Sequence, residues 1–211
     1  MLSEKIVKEV YEEYGESNSH RFDHVFRVHR TAMKICSEFF NIDEVVVDAA
    51  SWLHDIARNK ERSGGCECHA QEGAILSKKI LSKFGYFDDQ MERVSQVILE
   101  HRYSTNTKPS SLESKILQDA DRLDAIGAIA IARIFMYAGS TDRPLHDLRV
   151  EPGDYKGDSK TTINHFYEKN LKITPSSFHT AYAREIARER YRYIKEYIYR
   201  FNIEWMGTDL I

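Results

Sequence analysis

Apolar residues recur every three or four positions along most of the chain, and strand-like alternation is nearly absent. The pattern predicts an all-α protein. A first helix covers about residues 3–14, with Ser3 as its N-cap, and Gly15 to Ser19 form a turn. A second helix covers about 23–40 and turns Val25, Val28, Ala32, Ile35 and Phe39 inward. His24 stands at the start of that stripe, so it points into the domain. Asp43 caps a third helix, whose Val46, Ala49, Ala50 and Leu53 lead directly to His54-Asp55. The charged stretch Arg58 to Gly65 reads as a loop. Helices follow over about 69–84 and 88–101, the second ending in Glu100-His101-Arg102. A polar loop with Pro109 separates them from a helical segment, Leu112 to Tyr137, that carries Asp119, Asp121 and Asp124. Residues 139–160 form a long loop, a short helix spans 161–171, and Ser176 caps a last helix to about Phe201.

This pattern, with no repeat or linker, predicts one helical-bundle domain over 1–211. Its core is expected at about 20–125, with the helices of about 161–205 packed on it. Apolar residues make up 42% and charged residues 30%, an ordinary globular balance. Thirty Lys and Arg against 33 Asp and Glu give a net charge of −3, which argues against nucleic-acid binding. The longest apolar run, Ala125 to Ala132, is too short to span a membrane, and the N-terminus lacks a signal-like region. Three cysteines do not make a disulfide scaffold and suit a reducing cytoplasm.

The chemistry gathers at His54-Asp55. An unpaired carboxylate is costly to bury at the end of so apolar a helix, and a divalent cation offsets that cost. His24, His54, Asp55 and Asp121 are all expected on helices at inward or junction positions. Two imidazoles and two carboxylates suit one Mn²⁺ or Mg²⁺ ion best, with Fe²⁺, Co²⁺ and Zn²⁺ also accommodated. Asp119 and Asp124 are expected mainly in ion pairs with Arg122 or Lys115. Cys66-Glu67-Cys68-His69 looks like a zinc motif, but no fourth ligand is evident.

The blocks Asp23-His24-Val25, His54-Asp55 and Ala120-Asp121-Arg122-Leu123, in this order, resemble the HD-domain metal-dependent phosphohydrolases. Ile98 to His101, Asp119 to Gly127, Thr161 to Lys169 and Glu204 to Gly207 resemble a subgroup of small stand-alone members. The resemblance covers nearly the whole chain. It implies a helical metallohydrolase that cleaves phosphate esters or anhydrides. Alarmone hydrolases carry acidic residues after the doublet, where Ile56-Ala57-Arg58-Asn59 stands here. The Glu of nucleoside monophosphatases and the extra His pattern of cyclic-dinucleotide phosphodiesterases are also missing.

These departures point to a less specific or triphosphate-type activity, and the resemblance to the small subgroup, which includes nucleotide pyrophosphohydrolases, implies a nucleotide substrate cleaved at a phosphoanhydride of a (deoxy)nucleoside triphosphate. The other readings are a phosphomonoesterase on nucleoside monophosphates or small esters, and a non-catalytic metal- or nucleotide-binding module. Asp55 and His101 are the candidate catalytic groups, His101 as a proton carrier. Arg27, Arg58, Lys60, Lys156 and Lys160 are the candidate phosphate contacts. The last helix interleaves Arg and Tyr with Glu, which favours a solvated amphipathic face with i,i+4 pairs over a nucleic-acid surface. Its tyrosines are expected in the core and in a contact between two copies of the chain.

Overall fold

The computed structural model describes residues 6, 7, 10, 22–102, 107–155 and 157–210. The Ser3 cap, the turn at 15–19 and Lys156 lie outside them. Every regular element among the described residues is helical. The chain divides into two compact units, Met1–Arg122 and Leu123–Ile211.

In the first unit, α1 is Phe22–Cys36, α2 Glu44–Leu53, α3 Arg58–Arg62, α4 His69–Ser82 and α5 Asp88–Glu100, and α6, Leu112–Asp124, begins there. α1 buries His24, Val25, Val28, Ala32 and Ile35 along one stripe. It ends at Cys36 rather than near Phe40. Ser37 Oγ donates to the Lys34 carbonyl at 2.8 Å, and the next amides bond three residues back, tightening the last turn. Phe40 is fully exposed. Asp43 caps α2, accepting from the Val45 and Val46 amides at 3.1 and 3.3 Å. α2 is buried over most of its circumference, as a central helix must be. It packs against α1 and α5, and α4 packs on α5. α4 lies close to the His54 turn at Gly73, where a Cβ would stand in ordinary contact, 3.6 Å from the His54 carbonyl oxygen. The segment Arg58 to Gly65, expected as a loop, forms the short α3 before it turns.

The second unit contains the end of α6, then α7, Ala128–Ser140, α8, Thr162–Glu168, and α9, Ala181–Trp205. Leu112 to Tyr137 is thus two helices, not one. Gly127 has φ +90°, open to glycine and strained for other residues. Arg190 on α9 donates to the Leu123 carbonyl at 2.6 Å, and Asn170 donates to that of Ala125 at 2.8 Å, so the break is held by capped carbonyls. Asp124 pairs with Arg133. The loop after α7 is tied to α8 by the Thr162 and Ile163 amides, which bond the Pro144 and Leu145 carbonyls. Thr161 caps α8, which ends at Glu168, and 3₁₀ turns follow at Asn170–Lys172 and Pro175–Ser177. Thr180, not Ser176, caps α9, because Pro175 starts a separate 3₁₀ turn around Ser176. The core of this unit gathers on Phe166, whose ring lies 6.0 Å from that of Phe135 and 6.3 Å from that of Tyr197. Tyr193 and Tyr199 stay on the solvent side of α9, where Arg192 pairs with Glu189 and Glu196. No single helix among the described residues is long and apolar enough to cross a membrane.

Candidate metal centre

Six side chains from separate parts of the first unit converge. His24 comes from α1, His54 and Asp55 from the turn ending α2, and His69 is the first residue of α4. His101 directly follows α5, and Asp121 lies on α6. The four histidines and Asp55 are each at most 5% exposed. The Asp121 side chain is 26% exposed.

The donors form two sets. In the first, His24 Nε2 is 3.4 Å from His54 Nε2 and 3.5 Å from Asp121 Oδ1, and Asp55 Oδ2 is 3.8 Å away. In the second, Asp55 Oδ1 is 3.4 Å from His69 Nε2 and 3.6 Å from His101 Nε2. Asp55 therefore serves both sets, one oxygen to each. Within each of the triads His24/His54/Asp121 and Asp55/His69/His101, the donor atoms lie within 4.8 Å of one another.

Backbone contacts set the ring orientations. His54 Nδ1 is 2.8 Å from the Ser51 carbonyl oxygen, and His101 Nδ1 is 2.6 Å from that of Ile98. A carbonyl only accepts, so each Nδ1 carries a proton and each Nε2 faces the cluster. Ring nitrogens anchored in this way are what a bound ion requires. Mixed N and O donors on helical supports suit a divalent ion of the Mn²⁺, Mg²⁺ or Fe²⁺ kind.

Burial pushes the His54 pKa down from 6.5 to about 4; Asp55 opposes this, and His101 and His24 add to it. His69 also falls to about 4, through burial first, against the pull of Asp55. His101 is raised, because the hydrogen bond and charge of Asp55 outweigh burial. Burial likewise opposes the charge of Asp121, but His24, His54 and His101 hold its carboxyl below the usual range. In the second unit, burial takes His165 to about 4, with Lys169 and Arg143 adding to the effect. A histidine lowered by folding binds fewer protons folded than unfolded between about pH 6.5 and 4. Its contribution to stability is complete above 6.5 and is lost as the pH falls through that window. Three lowered histidines outweigh one raised, so the metal-free protein should unfold at less urea at pH 5 than at pH 7.5. Equal midpoints would show that these rings are not held neutral.

The remaining expected site residues divide. Arg58 reaches the second set, its Nη1 2.9 Å from His69 Nδ1 and 3.2 Å from Glu61 Oε2. Arg27 pairs with Asp23 at 2.8 Å, and Lys60 pairs with Glu72. Lys160 is exposed and belongs to the second unit. His69 was not expected in the cluster: in the sequence it looks like the end of a zinc motif. Cys68 instead accepts from Arg102 at 3.3 Å. The available signal was a histidine at the first position of a helix. Glu61 and Arg102, joined at 2.6 Å, were not expected either.

A helical frame carrying buried His and Asp donors in two sets fits a divalent-metal centre. A family model described as HD domain matches residues 21–126. Bacillus subtilis (strain 168) YpgQ, described as uncharacterised, is 32% identical over 202 residues, 92% of this chain and 88% of its own. An HD-superfamily hydrolase from Bacillus thuringiensis superposes with a TM-score of 0.75 at 31% identity, over 96% of both chains. The crystal structure of B. subtilis YpgQ in complex with ADP superposes with a TM-score of 0.72 at 27% identity, over 96% of this chain and 97% of that one. The chain belongs to the HD-domain family and is a metal-dependent phosphohydrolase of that superfamily.

Proposed function

We propose that the protein hydrolyses a phosphoanhydride of (deoxy)nucleoside triphosphates, releasing pyrophosphate, in the cytoplasm. The observation that carries this reading is the shared Asp55, which joins a set fit for a divalent ion to a second set beside a guanidinium. The ADP in the YpgQ structure supports a nucleotide ligand. His24, His54, Asp55 and Asp121 would hold the ion, Mn²⁺ or Mg²⁺ first. When bound, a divalent ion makes hydroxide available near neutral pH and offsets phosphoryl charge. Arg58 supplies positive charge next to His69, where a polyphosphate chain needs it. His101, buried and with a raised pKa, holds a proton for the leaving group. Cys36, Cys66 and Cys68 are free thiols, as a reducing compartment favours.

The test is product analysis. Metal-depleted protein is given Mn²⁺ and a panel of deoxynucleoside tri- and monophosphates, and pyrophosphate is separated from orthophosphate. Pyrophosphate from triphosphates is the expected result. Orthophosphate from monophosphates would move the assignment to a phosphomonoesterase. An intact panel across Mn²⁺, Mg²⁺, Co²⁺ and Fe²⁺ would leave a binding module.

A further inference from the structure

Glu61 belongs to neither donor set, yet it holds one of them in place. It lies on the short α3 that follows the His54-Asp55 turn. Its Oε2 is 2.8 Å from His69 Nδ1, and its Oε1 accepts from the His69 backbone amide at 3.3 Å. Arg102 donates to the same Oε1 at 2.6 Å, and Arg58 donates to Oε2 at 3.2 Å. His69 is the first residue of α4, directly after the N-cap Cys68. Glu61 supplies an acceptor there from another helix, so one carboxylate fixes both the backbone and the ring of His69.

His69 Nδ1 has two neighbours with opposite demands. A carboxylate at 2.8 Å needs a proton on the ring nitrogen, whereas a guanidinium at 2.9 Å only donates and needs a lone pair. Glu61 accepts from the His69 amide, Arg102 and Arg58, so its oxygens already face donors and it brings no proton of its own. Two lone pairs do not face one another at 2.8 Å. Arg58 Nη1 is also 3.3 Å from His69 Nε2. A donor that close to both ring nitrogens is not aimed along a single lone pair. The proton therefore sits on Nδ1, between the ring and Glu61, and Nε2 keeps its lone pair. That lone pair lies 3.4 Å from Asp55 Oδ1, beside His101.

We infer that Glu61 is a positioning residue: it fixes His69 in the Nδ1–H form and so keeps Nε2 available as a donor atom next to Asp55. The inference rests on reading the cluster as a hydrolytic metal centre. The plainer alternative is an ion-pair hub that ties α3 to Arg102 and affects stability alone.

The test reads the tautomer directly. Protein loaded with diamagnetic Mg²⁺ or Zn²⁺ is labelled with ¹⁵N at histidine, and the His69 ring nitrogens are assigned by their two-bond couplings. In the wild type, Nδ1 should be protonated and Nε2 bare; the reverse overturns the inference without any variant. Glu61→Gln retains an acceptor oxygen and should retain the Nδ1–H form. Glu61→Ala leaves Arg58 beside Nδ1 and should shift His69 towards Nε2–H. Its kcat on a cleaved triphosphate should fall by about 10–100-fold, more than that of Glu61→Gln, with little change in KM. An Ala variant with the wild-type tautomer and kcat would reduce Glu61 to the ion-pair hub. If no phosphate compound is turned over but the tautomer shifts as described, the hydrolytic reading fails and the role of Glu61 in fixing the ring stands. If triphosphates are cleaved and the tautomer does not shift, the outcome is the opposite.

Discussion

Asp55→Ala should remove metal from the protein and lower turnover by on the order of 10³-fold, because a bound ion supplies several kcal/mol of charge stabilisation in phosphoryl transfer. Asp55 is singled out by geometry. Its Oδ2 faces His24 at 3.8 Å, and its Oδ1 faces His69 and His101 at 3.4 and 3.6 Å, so both donor sets lose a member. Asp121→Ala and His54→Ala strip only the first set and should also lose metal and activity. His69→Ala spares that set, so it should keep an ion while turning over more slowly. The fold should survive in all four variants. A buried carboxylate is expensive to desolvate, and removing one from a cluster of histidines takes away no apolar packing. Plasma emission spectrometry after dialysis reads the metal, product release reads turnover, and far-ultraviolet circular dichroism reads the helices. Wild-type metal content and turnover in Asp55→Ala or Asp121→Ala would rule out the ligand assignment.

The second large effect belongs to packing. Phe166→Ala should destabilise the protein by about 3–5 kcal/mol, the usual cost of deleting a buried phenyl ring and leaving a cavity. Phe166 has no solvent exposure and is the largest fully buried side chain among the described residues. Its ring meets Phe135 and Tyr197, so helices α7, α8 and α9 lose a common contact. Urea unfolding followed by circular dichroism and by tryptophan fluorescence tests this. Trp52 reports on the first unit and Trp205 on the second. We propose that the chain is a single domain, in which case both probes shift together to lower urea. A shift confined to part of the helical signal would mean that Met1–Arg122 and Leu123–Ile211 unfold separately.

The helices were legible in the sequence because their cause is local. The stripe from Val25 to Ile35 has helical spacing, and the Asp43 side chain lies within reach of the amides it caps. The order His24, His54-Asp55, Asp121 was legible for a related reason: polar groups interrupt apolar helices where burying them needs compensation. Helix ends were read less well. Ser176 and Thr180 are comparable caps by type, and the 3₁₀ turn at Pro175 decides between them. Gly127 marks a weak point in the sequence, but the break there is made by Arg190 and Asn170, more than 40 residues further along the chain, which cap the carbonyls of Leu123 and Ala125. Asp124 took Arg133 as its partner for the same reason, since the break lets the start of α7 turn back towards it.

The sequence by itself determined the helical class, most of the inward faces and the four residues of the first donor set. Only the tertiary structure decided the second set. His69, Glu61 and Arg102 carry no periodic or motif signal that joins them, because their meeting depends on how α3, α4 and α5 pack around the His54-Asp55 turn. Local spacing sets which way a side chain leaves its helix, but long-range packing sets what it meets.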